Sequence, residues 1–193
     1  MKIIINGKRF KKYISKEELE KITYTLAEKI NSAYNRKNPI FLIVLKGSIF
    51  FAADLLRKIT IKCTIETIRT SSYGMNMTGG NVKLSIENLS IKNKHVIIIE
   101  DIVDTGNTIK ELLNKLSLQK PKSIAVTSLL LKPNSLQNDI KIEFVGKKIP
   151  SKFVIGYGLD YAEKGRNLPE IYILDEWFFV NYIKKLGDKK CPM

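Results

Sequence analysis

The chain has 193 residues, 44 % of them hydrophobic, which suits one domain with its own core, or one domain with a small appendage. No apolar run approaches the ~20 residues of a membrane span, and the apolar stretch in residues 1–7 is too short for a signal peptide, so a cytoplasmic protein is expected. The net charge of +14, from 33 basic against 19 acidic residues, points to nucleic acid or to a polyanionic small substrate; the basic residues are nearly all scattered lysines, which favours a solvated surface.

In chain order, Ser15, Lys16, Glu17 and Glu18 form a capping box, and Leu19, Ile22, Leu26, Ile30 and Ala33 follow at helical spacing. Asn38-Pro39 ends that helix. Residues 40–45 read as an apolar strand, Lys46-Gly47-Ser48 turns the chain, and residues 49–58 continue as a helix. Ile61, Cys63 and Ile65 alternate with Lys62, Thr64 and Glu66, which predicts a strand. Residues 70–81 are polar and without periodicity, the mark of a functional or disordered loop. Residues 96–99 read as a strand buried on both faces; a helix after Thr108 and a strand over 123–131 complete a unit that makes parallel sheets. The C-terminal third alternates short strands, at 153–156 and 171–174, with loops. It ends in residues 176–186, a helix or extended aromatic segment whose Trp177, Phe178 and Phe179 suit a core or a subunit interface. Cys63 and Cys191 have no metal or redox spacing and read as reduced thiols. The single histidine, His95, reads as a turn residue just ahead of a strand. The stretch 137–150 is not distinctive.

The chemistry concentrates in residues 97–108, Ile97-Ile98-Ile99-Glu100-Asp101-Ile102-Val103-Asp104-Thr105-Gly106-Asn107-Thr108. An apolar strand breaks into two carboxylates at its carboxyl end, where open α/β sheets place ligands. Asp104 through Thr108 then supply a tight turn whose N–H groups, hydroxyls and following helix N-terminus can hold a phosphate. Glu100 and Asp101 suit ribose hydroxyls or a hard divalent cation. Ordinary caps and turns would explain a lone Thr-Gly-x-Thr, but not the whole pattern. So many carboxylates near a phosphate are tolerable only if they face ribose, metal or base while the loop amides face the phosphate.

This segment resembles the phosphoribosyl-diphosphate (PRPP) signature of the type I phosphoribosyltransferases. Leu45-Lys46-Gly47 resembles the family's diphosphate loop, where a cis peptide often lies beside the lysine. Ser72-Tyr73 resembles the start of its mobile catalytic loop. Together with Ser128-Leu129-Leu130-Leu131-Lys132, residues 152–161 and Arg166, the order and spacing resemble the hypoxanthine-guanine (6-oxopurine) enzymes from about residue 40 to residue 174. The resemblance implies an α/β fold of one domain over 1–193, a mostly parallel sheet flanked by helices with a small hood from the N- and C-terminal segments. It implies Mg²⁺-dependent transfer of the phosphoribosyl group from PRPP to hypoxanthine or guanine, through an oxocarbenium-like transition state, in purine salvage by a homodimer or homotetramer.

In that scheme Glu100 and Asp101 hold the ribose hydroxyls, directly or through Mg²⁺. Asp104 is the catalytic residue at the purine N7, and Thr105, Gly106, Asn107 and Thr108 cradle the 5′-phosphate. Lys132 donates to O6, Phe153 stacks on the base, and the Val154 carbonyl meets the edge carrying the guanine amino group. Asp160 binds Mg²⁺; Lys46, Gly47 and Arg166 face the diphosphate; the 70–81 loop, with Ser72 and Tyr73, closes over the site. Gly165, where a larger residue is usual, and Pro133 depart from the pattern. For Lys132 the plain alternative is an exposed loop lysine, for Phe153 a core ring, and for Asp160 a turn cap. Lys132 and Phe153 argue against an adenine or pyrimidine enzyme; a xanthine-preferring enzyme stays open. So does an RNA-binding regulator that keeps the PRPP fold, which the +14 charge motivates.

Overall fold

The structure is a computed structural model that describes residues 2–71, 83–84 and 89–175. In chain order its elements are β1 (Lys2–Ile5), β2 (Lys8–Ile14), α1 (Lys16–Ala33), β3 (Ile40–Leu45), α2 (Ile49–Leu56), β4 (Thr64–Ser71), β5 (Lys83–Leu84), β6 (His95–Val103), α3 (Asn107–Ser117), β7 (Ser123–Leu131), a 3₁₀ turn (Pro133–Ser135), β8 (Phe144–Lys148), β9 (Val154–Ile155) and β10 (Ile171–Leu174). They fall into two compact units, residues 20–151 and the described parts of residues 1–19 and 152–193.

The larger unit is built on a sheet of order β5-β4-β3-β6-β7-β8, parallel throughout except for the short antiparallel β5. Its central strands are the longest apolar runs of the chain. Both faces of β3 and β7 are covered, so their sequences do not alternate. α3 buries Ile109, Leu112 and Leu116, spaced three and four apart, against Val96, Ile98 and Val126. The capping box opens α1, with Glu18 N–H donating to Ser15 Oγ at 3.3 Å.

Several boundaries differ from expectation. β6 runs past its apolar residues through Glu100 and Asp101 to Val103, because β7 continues to pair with it there (Glu100 with Ser128, Val103 with Leu131). The turn therefore begins only at Asp104. His95 is the first residue of β6 rather than a turn residue, and its Nδ1 hydrogen-bonds Ser123 Oγ at 2.7 Å. β4 starts at Thr64, not Ile61, because its partner β3 starts at Ile40. α2 stops at Leu56, where Lys58 and Ile59 N–H reach back only three residues. β8 arises within the stretch that looked indistinct.

The smaller unit is an antiparallel sheet of order β1-β2-β10-β9 around Phe10, Ile155 and Tyr172. Its first hairpin turns on Asn6 (φ 48°) and Gly7 (φ 74°), a two-residue turn that needs positive φ twice, which an Asn-Gly pair supplies. The strand expected over 153–156 shrinks to Val154–Ile155, because Gly156 takes φ 98° and leaves the extended region. Among the described residues no helix is long and apolar enough to cross a membrane. Ser72, Tyr73, most of the 70–81 loop, the aromatic segment from 176 and Cys191 lie outside the described residues.

Candidate active site

The junction of β6 and α3 forms a pocket lined by Glu100, Asp104, Thr105, Gly106 and Thr108. Gly106, at φ 82°, caps α3 without a side chain, so the first N–H groups of the helix are not taken by a capping side chain of its own. Thr105 Oγ1 accepts a long bond from Asn107 N–H, 3.4 Å. The wall behind the loop comes from residues 136–140. A Cβ on Gly106 would lie 2.7 Å from Ile140 Cδ1 and 3.2 Å from Leu136 Cδ2, so only glycine meets both the space and the backbone angle. Asn138 donates to the Thr105 carbonyl (3.3 Å) and to Asn107 Oδ1 (2.6 Å), and accepts from Lys110 Nζ (2.8 Å). Sequence reasoning missed this support; its only trace is Leu136 and Ile140 within a polar stretch.

Next to the loop stands the acidic pair. Asp101 is buried and accepts the Ile102 N–H at 2.9 Å through Oδ1. Glu100 Oε2 is buried with no hydrogen-bond partner. Burial of the Glu100 carboxyl, with the charge and hydrogen bond of Asp101 added, lifts its pKa well above the usual carboxylate range. β3 is the neighbour of β6, and the turn after it reaches the same place: a Cβ on Gly47 would collide with the Asp101 carboxylate. The Leu45-Lys46 peptide is cis, and the buried Ser48 hydroxyl donates to the Val44 carbonyl. The predicted diphosphate loop and acidic pair thus meet.

Lys132 follows β7, on the other side of β6. It is 7 % exposed, not a loop lysine in solvent, and its Nζ donates to Asp104 Oδ2 at 2.6 Å while Asp104 stays half-exposed. Its own N–H is tied to the Val103 carbonyl, 3.0 Å, which fixes where the side chain starts. A buried ammonium requires such a partner.

In the smaller unit, Phe153 is 43 % exposed, with Tyr161 edge-on at 5.6 Å and Phe10 at 6.3 Å between centroids. It is therefore an outward aromatic rather than a core ring. Val154 is buried in β9 opposite Ile173. Asp160 caps a turn, accepting the Glu163 N–H at 2.8 Å, and pairs through its other oxygen with Arg166 Nη2 at 2.8 Å. Arg166 also donates to the Gly158 carbonyl (2.9 Å) and to Glu163 (3.3 Å), and its Nε is buried without a partner. Gly165, at φ 91°, makes room for this arrangement, since a Cβ there would lie 2.9 Å from Ile5 Cδ1. Among the described residues, no three His, Cys, Asp or Glu side chains gather as a ready-made metal cage.

A phosphoribosyl transferase domain matches residues 12–162. The chain is 37 % identical to the hypoxanthine-guanine phosphoribosyltransferase of Aquifex aeolicus over 89 % of its own length and 98 % of the relative's. It is 46 % identical to the hypoxanthine phosphoribosyltransferase of Buchnera aphidicola, with 82 % and 92 % of the two chains covered. Among solved structures, a hypoxanthine-guanine phosphoribosyltransferase from Bacillus anthracis with HEPES in its active site superposes with a TM-score of 0.80 at 41 % identity, covering 84 % of this chain and 97 % of that one. A Staphylococcus aureus hypoxanthine phosphoribosyltransferase gives 0.82 at 38 % identity, covering 88 % and 93 %.

Proposed function

The chain belongs to the phosphoribosyl transferase domain family, among the hypoxanthine-guanine phosphoribosyltransferases, and from that premise we propose that it makes nucleoside 5′-monophosphates from PRPP and a 6-oxopurine in purine salvage. The observation that carries the base specificity is the ion pair of buried Lys132 with Asp104 beside the phosphate loop. A 6-oxopurine presents an acceptor, O6, next to a donor, N7–H. An ammonium beside a carboxylate is the complement of that edge. The 6-amino group of adenine would set a donor against a donor, which the site rejects.

In this reading the bond from C1 of the ribose to the diphosphate breaks as a purine nitrogen attacks. Asp104 takes or shares the N7 proton, help worth about 10²–10⁴-fold. Thr105, Gly106, Asn107 and Thr108 hold the 5′-phosphate at the start of α3. Lys46 and Gly47 receive the diphosphate. Phe153 offers an exposed ring of the kind that stacks on a base, and the Val154 carbonyl is its candidate neighbour for the guanine amino group. Arg166 faces the diphosphate only if it leaves its loop partners.

Glu100 and Asp101 would hold a Mg²⁺ ion together with the ribose hydroxyls. The fit rests on Glu100 Oε2, a buried acceptor without a partner beside a second carboxylate, and a hard cation takes such oxygens. Bound there, the ion would neutralise the pair and screen the departing diphosphate. Asp160 would have to exchange Arg166 or the Glu163 N–H for a cation. A dimer or tetramer is the assembly this reading carries, to be checked by sedimentation.

The test is diphosphate release by the purified protein with Mg²⁺ and PRPP, in parallel with hypoxanthine, guanine, xanthine, adenine and uracil. Release with 6-oxopurines alone is expected, and it ranks the three. Release with adenine, or silence with every base, overturns the assignment. Silence with PRPP still binding would favour the regulator.

A further inference from the structure

We infer that Asn138, outside the PRPP signature, is a positioning residue that aims the phosphate loop. This rests on the proposed use of that loop for the 5′-phosphate. The Thr105 carbonyl is held by two donors from one segment, Gln137 N–H at 3.1 Å and Asn138 Nδ2 at 3.3 Å. The peptide joining Thr105 to Gly106 is trans, since the one cis bond in the described chain is Leu45-Lys46. A planar trans peptide points its C=O and N–H in opposite directions. Pinning the Thr105 oxygen towards residues 137–138 therefore turns the Gly106 N–H away from them. Thr105, Gly106 and Thr108 line the pocket, and in this inference the Gly106 N–H is turned to it.

The amide of Asn138 is itself oriented. Lys110 Nζ donates to its oxygen at 2.8 Å, so its NH₂ end must face the loop, where it reaches both Thr105 O and Asn107 Oδ1. Hydrogen-bond direction thus runs from Lys110 through Asn138 into the loop. Gly106 at φ 82° would otherwise be free to rotate this peptide, because glycine resists such rotation least of all residues. A flipped peptide would present a carbonyl oxygen to a phosphate, an acceptor against an anion.

The experiment compares the affinity of wild type, Asn138→Ala and Asn138→Asp for IMP, which carries a 5′-phosphate, and for inosine, which does not. Loss of IMP affinity by about five- to twentyfold is expected for Asn138→Ala, since its two hydrogen bonds to the loop and the one from Lys110 go while the Gln137 N–H remains on Thr105. Asn138→Asp keeps the shape and the acceptor for Lys110 but donates to neither Thr105 nor Asn107, so it should lose at least as much. Inosine affinity should stay within twofold in both. Unchanged IMP affinity in either variant, or an equal fall for inosine, overturns the inference. A wild-type protein that binds no IMP and releases no diphosphate would instead bring down the proposed function, and this inference with it.

Discussion

Two regions of this chain gather several charged residues each and use them in opposite ways. Around the turn from β6 to α3, the charges are aimed: Lys132, just after β7, is buried behind Asp104, Glu100, in β6, keeps a buried oxygen without a partner, and the backbone is braced from residues 136–140. In the loop after β9, the charges are spent on one another: Asp160, Glu163 and Arg166 close a small network that also takes in the Gly158 carbonyl. Density of charge does not mark a site. What marks it here is a buried carboxylate oxygen left without a partner beside a second carboxylate, together with a buried lysine whose half-exposed partner a ligand can replace.

The contrast can be broken at four places. Asp104→Asn should lower kcat by about 10²–10⁴-fold while PRPP affinity holds, because proton transfer goes and the phosphate loop stays; unchanged turnover would remove Asp104 from the chemistry. Lys132→Ala should raise the Michaelis constants for 6-oxopurines by roughly 10- to 100-fold, the worth of one charged hydrogen bond, with little change in melting temperature because half-exposed Asp104 can turn to water. A normal constant for hypoxanthine would misplace the base. In the other loop the balance should reverse. Arg166→Ala should cost about 1–3 kcal/mol of stability, seen in denaturant melts, and Arg166→Lys should not restore it, since an ammonium lacks the fork that reaches Gly158 and Asp160 together. A variant as stable as wild type would mean the network holds nothing.

The smallest effect sharpens the comparison through pH. Glu100 is raised in the folded state, so above its ordinary value of 4.5 the folded protein keeps a proton that the unfolded chain has lost. Stability is then complete below that value and falls as pH rises towards the folded value, by up to about 1.4 kcal/mol per pH unit within the window. Glu100→Gln should flatten this slope in urea titrations without added cation. A parallel slope in the variant would place the titration elsewhere.

Much of the sheet was legible because a strand covered on both faces writes itself as an unbroken apolar run; residues 40–45 and 123–131 predict strands with the bounds found. The site's own strand was legible only as far as Ile99. Its last four residues are strand because β7 offers pairing partners, a fact of the neighbour and not of the local sequence. The brace at Asn138 is of the same kind, since nothing in a polar loop says which carbonyl it will meet. The Arg166 network shows the limit of a motif from the other side: the residue stands where the resemblance sets it, but its partners in the fold are internal.

For inhibitor design, the pairing of Lys132 with Asp104 sets a two-atom rule. A compound that reaches this corner displaces both ends of a 2.6 Å contact and inherits the needs of each. A scaffold with an acceptor beside a donor, at the spacing of a purine O6 and N7–H, meets them both. One offering only an acceptor takes Lys132 from Asp104 and leaves that carboxylate to water alone, and chemists lengthening such a series should gain potency when the donor is added.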